Sequence, residues 1–124
     1  MSIQSEVRNQ ILIVRPLDRL TKVNTREFEE FLLNALDEGF RNVIFDFSQL
    51  SLMSSEGLLT ILNLIKEIRS KGGEVVSVGF KPKVRPLFAV SGMFALLEES
   101  EDLPAAINHL QLRDTAFTNG EGPG

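Results

Sequence analysis

Ser54 and Ser55 stand side by side in VIFDFSQLSLMSSEGLLTIL, residues 43–62, between an apolar run closed by Asp46 and an amphipathic run that opens at Glu56-Gly57. Two hydroxyls at the start of a helix face unusual chemistry. The first backbone N–H groups of a helix lack partners within it, and with the helix dipole they make that end tolerant of negative charge. A serine in this place is a cap, worth about 1 kcal/mol, or an acceptor for a phosphoryl group. Local sequence alone favours the cap. Glu56 adds an acid to the first helical turn, where the dipole welcomes one charge and a second less so.

Other residues suggest weaker chemistry. Asp46, at the end of a strand, sits where a phosphate-receiving aspartate would, but such a site needs Mg²⁺ held by further carboxylates, and near the first long strand only Asp18 is present. Asp46 is better placed to accept hydrogen bonds from the following turn. The run Glu98-Glu99-Ser100-Glu101-Asp102 lacks ordered metal-ligand spacing and reads as solvated surface before a helix. Lys81, Lys83 and Arg85 form a small basic cluster beside two prolines, read as a solvated loop. His109 is the single histidine in a chain without cysteine, so it has no metal-binding companion of either type. No nucleophile elbow or phosphate-binding glycine loop appears, because Gly72-Gly73 precedes a strand.

Asp46-Phe47-Ser48, followed after five residues by Ser54-Ser55-Glu56-Gly57, resembles the phospho-acceptor segment of the STAS family, the anti-sigma-factor antagonists. In that family a strand with Asp-x-Ser leads after five residues into Asp-Ser-x-Gly. The resemblance extends over nearly the whole chain apart from its tail. It implies that Ser55 is the phosphorylated serine, supported by Asp46, Ser48, Ser54, Glu56 and Gly57, with Ser54 standing where the family has aspartate. It also implies partner switching without catalysis or cofactor. The unphosphorylated domain binds an anti-sigma factor with serine-kinase activity, the kinase uses ATP to phosphorylate the serine and end the interaction, and a serine phosphatase restores it. The docking face implied by the family joins Leu20, Thr21, Lys22 and Asn24 to Met53, Ser55, Leu58 and Leu59. A rival reading makes the same fold a scaffold or sensor module with Ser55 as a cap. An enzyme is disfavoured, because no constellation supplies base, nucleophile and oxyanion donors together.

The elements that position these residues follow from periodicity. Ile3, Ser5 and Val7 alternate with Gln4, Glu6 and Arg8, an edge strand expected to form a hairpin with Ile11 to Val14. Pro16 to Lys22 reads as a loop, and Asn24 as the cap of a helix ended by Gly39. Val43 to Phe47 is a buried strand, followed by the serine-rich turn and a helix that Lys71-Gly72-Gly73 stops. Glu74 to Phe80 is a further strand, and a short helix from about Pro86 to Ser91 closes at Gly92. Phe94 to Leu97 is expected as a last strand, and Asp102-Leu103-Pro104 opens a final helix. The order ββαβαβαβα predicts an α/β fold, a mixed, mostly parallel sheet with an N-terminal hairpin and about four helices. One STAS-like domain is expected over 1–112, with a flexible tail over 113–124.

Composition bounds the rest. The chain has 124 residues, 43% hydrophobic and 24% charged, enough for one globular core. Its net charge of −4 provides no basic footprint for nucleic acid. No apolar run approaches the ~20 residues needed to cross a bilayer, and the N-terminus lacks a signal-peptide pattern, so a cytoplasmic location away from membranes is expected. A weak homodimer through the edge strand near Ile3 to Val7 stays open.

Overall fold

Two residues with positive φ, Asn9 at 53° and Gln10 at 67°, turn the chain between β1 (Ile3–Arg8) and β2 (Ile11–Pro16). A two-residue turn of this hand matches the twist of antiparallel strands, and the pairing Arg8↔Ile11 to Ile3↔Pro16 confirms the expected hairpin. The computed structural model describes residues 3–121, with side chains through residue 112. After the hairpin come β3 (Asp18–Leu20), α1 (Thr25–Asp37), β4 (Asn42–Asp46), β5 (Leu50–Met53) and α2 (Ser55–Ser70). The chain continues through β6 (Glu74–Val78), α3 (Arg85–Ser91), a 3-10 turn at Met93–Ala95, β7 (Glu98–Glu99) and α4 (Leu103–Glu121).

The main sheet has the order β1-β2-β4-β6-β7, antiparallel at the hairpin and parallel elsewhere, so the expected mixed, mostly parallel architecture holds. Side chains alternate across it, and each parity set meets different helices. Leu12, Val14, Val43, Phe45 and Val75 pack with residues of α1, α2 and α3, whereas Ile11, Ile13, Ile44, Val76 and Val78 pack against Ala106, Ile107 and Leu110 of α4. Burial on both faces explains the continuous apolar runs ILIV and VIF. It also places the carboxyl ends of β2, β4 and β6 at one end of the molecule, where the loops gather.

Three local expectations are corrected. The stretch read as a loop from Pro16 contains β3, and the serine-rich turn contains β5; the two pair in parallel as a separate two-stranded sheet. Their pairing joins residues some thirty positions apart, so neither Asp18-Arg19 nor Ser51 signals a strand locally. The strand expected over Phe94 to Leu97 is mostly helical. Gly92, with φ of 77°, ends α3, and Met93 and Leu97, four residues apart, turn into the core while Leu96 faces out. Strand pairing starts only at Glu98, opposite Val76. Finally, Asn24 precedes α1 without a side-chain bond to it, its Oδ1 accepting instead from the Thr21 amide at 2.9 Å. The tail expected over 113–124 lies outside the residues whose side chains are described.

Candidate functional site

At the carboxyl end of β4 the chain must turn from the sheet into β5 and then into α2, and Asp46 organises the first of these turns. Its Oδ1 accepts from the Ser48 amide at 2.9 Å, and its Oδ2 accepts from Arg15 Nε at 2.8 Å. Register explains the second contact: β2 and β4 run parallel with Val14 opposite Phe45, which brings Arg15 level with Asp46 on the face covered elsewhere by α4. Glu6 of the edge strand lies 3.5 Å from the same guanidinium. Burial opposes the Asp46 charge, but the Ser48 amide and hydroxyl and the Arg15 guanidinium outweigh it and hold the carboxyl below its ordinary range. The expected turn contact is present; Arg15 went unseen in sequence, although an arginine closing an apolar strand was its available signal.

The second turn is fixed by Ser54, the N-cap of α2. Its backbone is extended, at φ −93° and ψ 174°, and its Oγ accepts from the Gly57 amide at 3.2 Å. The Ser54 amide in turn donates to the Leu20 carbonyl at 3.1 Å, tying the start of α2 to the end of β3. Gly57 is required by the same approach, because a Cβ there would collide with the Leu20 carbonyl. Ser55, first residue of the helix, is exposed. Glu56 beside it is held below the usual carboxylate range by its own backbone amide and by the Ser54 hydroxyl, with Lys22 adding attraction.

Around Ser55 the expected docking residues divide by burial. Leu20 and Met53 are buried, at 1% and 8% exposure, and support the surface from beneath. Thr21 and Asn24 are half-buried and shape the loop after β3: Asn24 Nδ2 donates to the Arg19 carbonyl at 2.8 Å, and Thr21 Oγ1 accepts from the Val23 amide. Lys22 is exposed, Leu58 half-buried against the core, and Leu59 exposed at 57%. Val23 (91% exposed) and Leu52 (50%) add two apolar side chains that sequence periodicity did not single out. Among the described residues there is no group of three or more histidine, aspartate or glutamate side chains that could hold a metal ion. His109 Nε2 lies 3.8 Å from Glu98, on the sheet's opposite face.

The arrangement defines a class: a small α/β domain that presents a capped helix start with an exposed hydroxyl and exposed apolar side chains beside it. The STAS domain family model matches residues 2–106, and the chain belongs to that family. BtrV of Bordetella bronchiseptica, a candidate anti-sigma factor antagonist, is 32% identical over 87 residues, 70% of this chain and 75% of that protein. The TM1081 protein of Thermotoga maritima superposes with a TM-score of 0.83 at 19% identity, over 88% of this chain and 94% of that one. The anti-sigma factor antagonist SpoIIAA is similar at 22% identity. Its unphosphorylated form gives a TM-score of 0.76 over 88% of this chain and 96% of SpoIIAA, and the phosphorylated Bacillus form 0.68 over 86% and 97%. No described helix is long and apolar enough to cross a membrane.

Proposed function

We propose that this chain is an anti-sigma-factor antagonist whose docking to an anti-sigma factor is switched by phosphorylation of Ser55. The observation that carries the reading is the exposed Ser55 hydroxyl beside the capping Ser54, on the same surface as Val23, Leu52 and Leu59. Ser54 satisfies the Gly57 amide, which leaves the Ser55 hydroxyl free of the capping role. The names of BtrV and SpoIIAA, and a SpoIIAA structure in the phosphorylated form, support the assignment. Unphosphorylated, the surface docks on an anti-sigma factor that is also a serine kinase. The kinase transfers the γ-phosphoryl group of ATP to Ser55 Oγ, releasing ADP and the hydroxyl proton, and a separate serine phosphatase hydrolyses the ester to reverse the switch.

Phosphorylation adds about −1.5 to −2 charges where helix amides tolerate them, so the domain stays folded while its docking surface gains negative charge. Glu56 already holds a negative charge next door, and a partner packed here meets both. A penalty of about 3 kcal/mol from like charges weakens binding more than 100-fold. The test is intact-mass analysis after incubation with ATP and the anti-sigma kinases of the same cell. One added phosphate in wild type and Ser54→Ala, absent in Ser55→Ala, is the expected result. Phosphate retained in Ser55→Ala, or none with a kinase that binds stably, overturns the switch.

A further inference from the structure

β5 has one strand neighbour, β3, so its other edge is unpaired among the described residues. That edge borders a groove of about 240 Å³ formed by Ser51, Leu52 and Met53 on one side and Lys83, Val84 and Leu87 on the other. Val84 and Met53 are buried and make an apolar floor, while Leu52 stands half-exposed at the rim. Lys81 Nζ donates to Ser51 Oγ at 3.2 Å and bridges the two sides. The volume falls below the roughly 300 Å³ at which compact small-molecule sites begin, and suits one or two side chains of an extended chain.

The charges at this end of the molecule are unevenly satisfied. Arg19 pairs with Asp18 at 3.1 Å and Arg85 with Glu99 at 2.6 Å. Lys81 and Lys83 have no carboxylate partner among the described residues, in a chain whose net charge is −4. Lysines beside a free strand edge discourage pairing with another copy, because a second β5 would bring its own lysines against them. The same lysines favour an acidic strand. We propose that the groove is a slot for an extended acidic segment of the protein partner, which adds to the outer edge of β5 through main-chain hydrogen bonds and sets apolar side chains on Val84 and Leu52. The partner's identity as an anti-sigma factor and the part played by a Ser55 phosphate rest on the proposed function; the slot itself does not. Ser55 begins two residues beyond the end of β5, so its phosphate would meet the same acidic segment and help expel it.

The test uses the isotope-labelled full chain and a blocked six-residue peptide alternating glutamate with valine or leucine, with a lysine-for-glutamate peptide as comparison. The acidic peptide is expected to shift the Ser51, Leu52 and Met53 amides and slow their exchange, and to bind about tenfold more weakly to Lys81→Glu/Lys83→Glu, whose fold is checked by its own amide spectrum. Lys66→Glu, in the distant groove between α1 and α2, should bind as wild type. No shift at β5 with about 1 mM peptide, equal binding of the lysine peptide, or indifference to the double charge reversal overturns the proposal. Phosphoryl transfer to Ser55, followed by mass in the same variants, is a separate readout. Peptide binding with no phosphate added to Ser55 by any anti-sigma kinase would remove the proposed function and keep the slot, whereas a switch that works unchanged in Lys81→Glu/Lys83→Glu, with no peptide binding, would do the reverse.

Discussion

Ser54 and Ser55 differ by one position and by one hydrogen bond, and their substitutions should separate accordingly. Ser54→Ala leaves the Gly57 amide without its acceptor and is expected to cost about 1 kcal/mol in urea unfolding, while Ser55→Ala stays within about 0.5 kcal/mol. The reverse order would mean that Ser55 caps. Asp46 makes a different prediction. Its folded carboxyl titrates below the unfolded value, so its contribution to stability is present above about pH 4 and is lost as the pH falls through the folded pKa. Asp46→Asn should therefore melt well below wild type at pH 7, and the gap in Tm should close toward pH 3; a constant gap would show that shape, not charge, matters. The serines and Asp46 were legible in sequence because caps and turns are written within a few residues. Arg15 was not, since its contact with Asp46 spans 31 residues and exists only through the parallel register of β2 and β4.

The long helices and the buried strands were readable because period and length agree over many residues, and α3 was placed by Pro86 and Gly92. What escaped was short and non-local. β3 owes its extended form to Leu50, Leu52 and Met53 opposite it, and β7 to Val76 and Ser77, so three- and two-residue strands carry no signal of their own. The consequence for the site is direct, because the Leu20 carbonyl at the end of β3 sets both the Ser54 amide and the absence of a side chain at residue 57. Gly57→Ala must push β3 and α2 apart and is expected to cost about 1–3 kcal/mol and to weaken docking, read by unfolding and by binding in the same sample. At the opposite edge, β7 is steadied by Arg85, which pairs with Glu99 and lies 5.2 Å over the Phe94 ring. An exposed pair of this kind is largely screened by solvent and adds little to global stability. Arg85→Ala should thus speed exchange of the Ser100 amide, which donates to the Ser77 carbonyl, with little loss of global stability. Unchanged exchange there would mean that pairing with β6 and the Ser77 Oγ bond to the Glu98 carbonyl hold β7 without Arg85.

Across the whole molecule the two cores lie on opposite faces of one sheet, and the Ser55 hydroxyl lies at the sheet's end, outside both. Ser55 is exposed, its helix start is fastened to β3 through backbone groups, and the buried side chains of α2, from Ile61 to Ile68, begin more than a turn further along. A charge added at residue 55 therefore enters water and the field of the helix amides, without opening the packing that separates α2 from the sheet. The phosphorylated chain should accordingly unfold within about 0.5 kcal/mol of the unmodified one, although its affinity for the docking partner falls more than 100-fold. Amide shifts on phosphorylation should concentrate in residues 20–24 and 51–59, leaving Ile44, Val76 and Ala106 beneath α4 unmoved. Shifts that spread to the α4 face, or a stability change of several kcal/mol, would show that the phosphate acts by rearranging the sheet's packing. Because packed cores resist continuous deformation, the local outcome is the one this architecture favours: with a phosphate at Ser55 the same fold would present a second surface that differs by a single charged group.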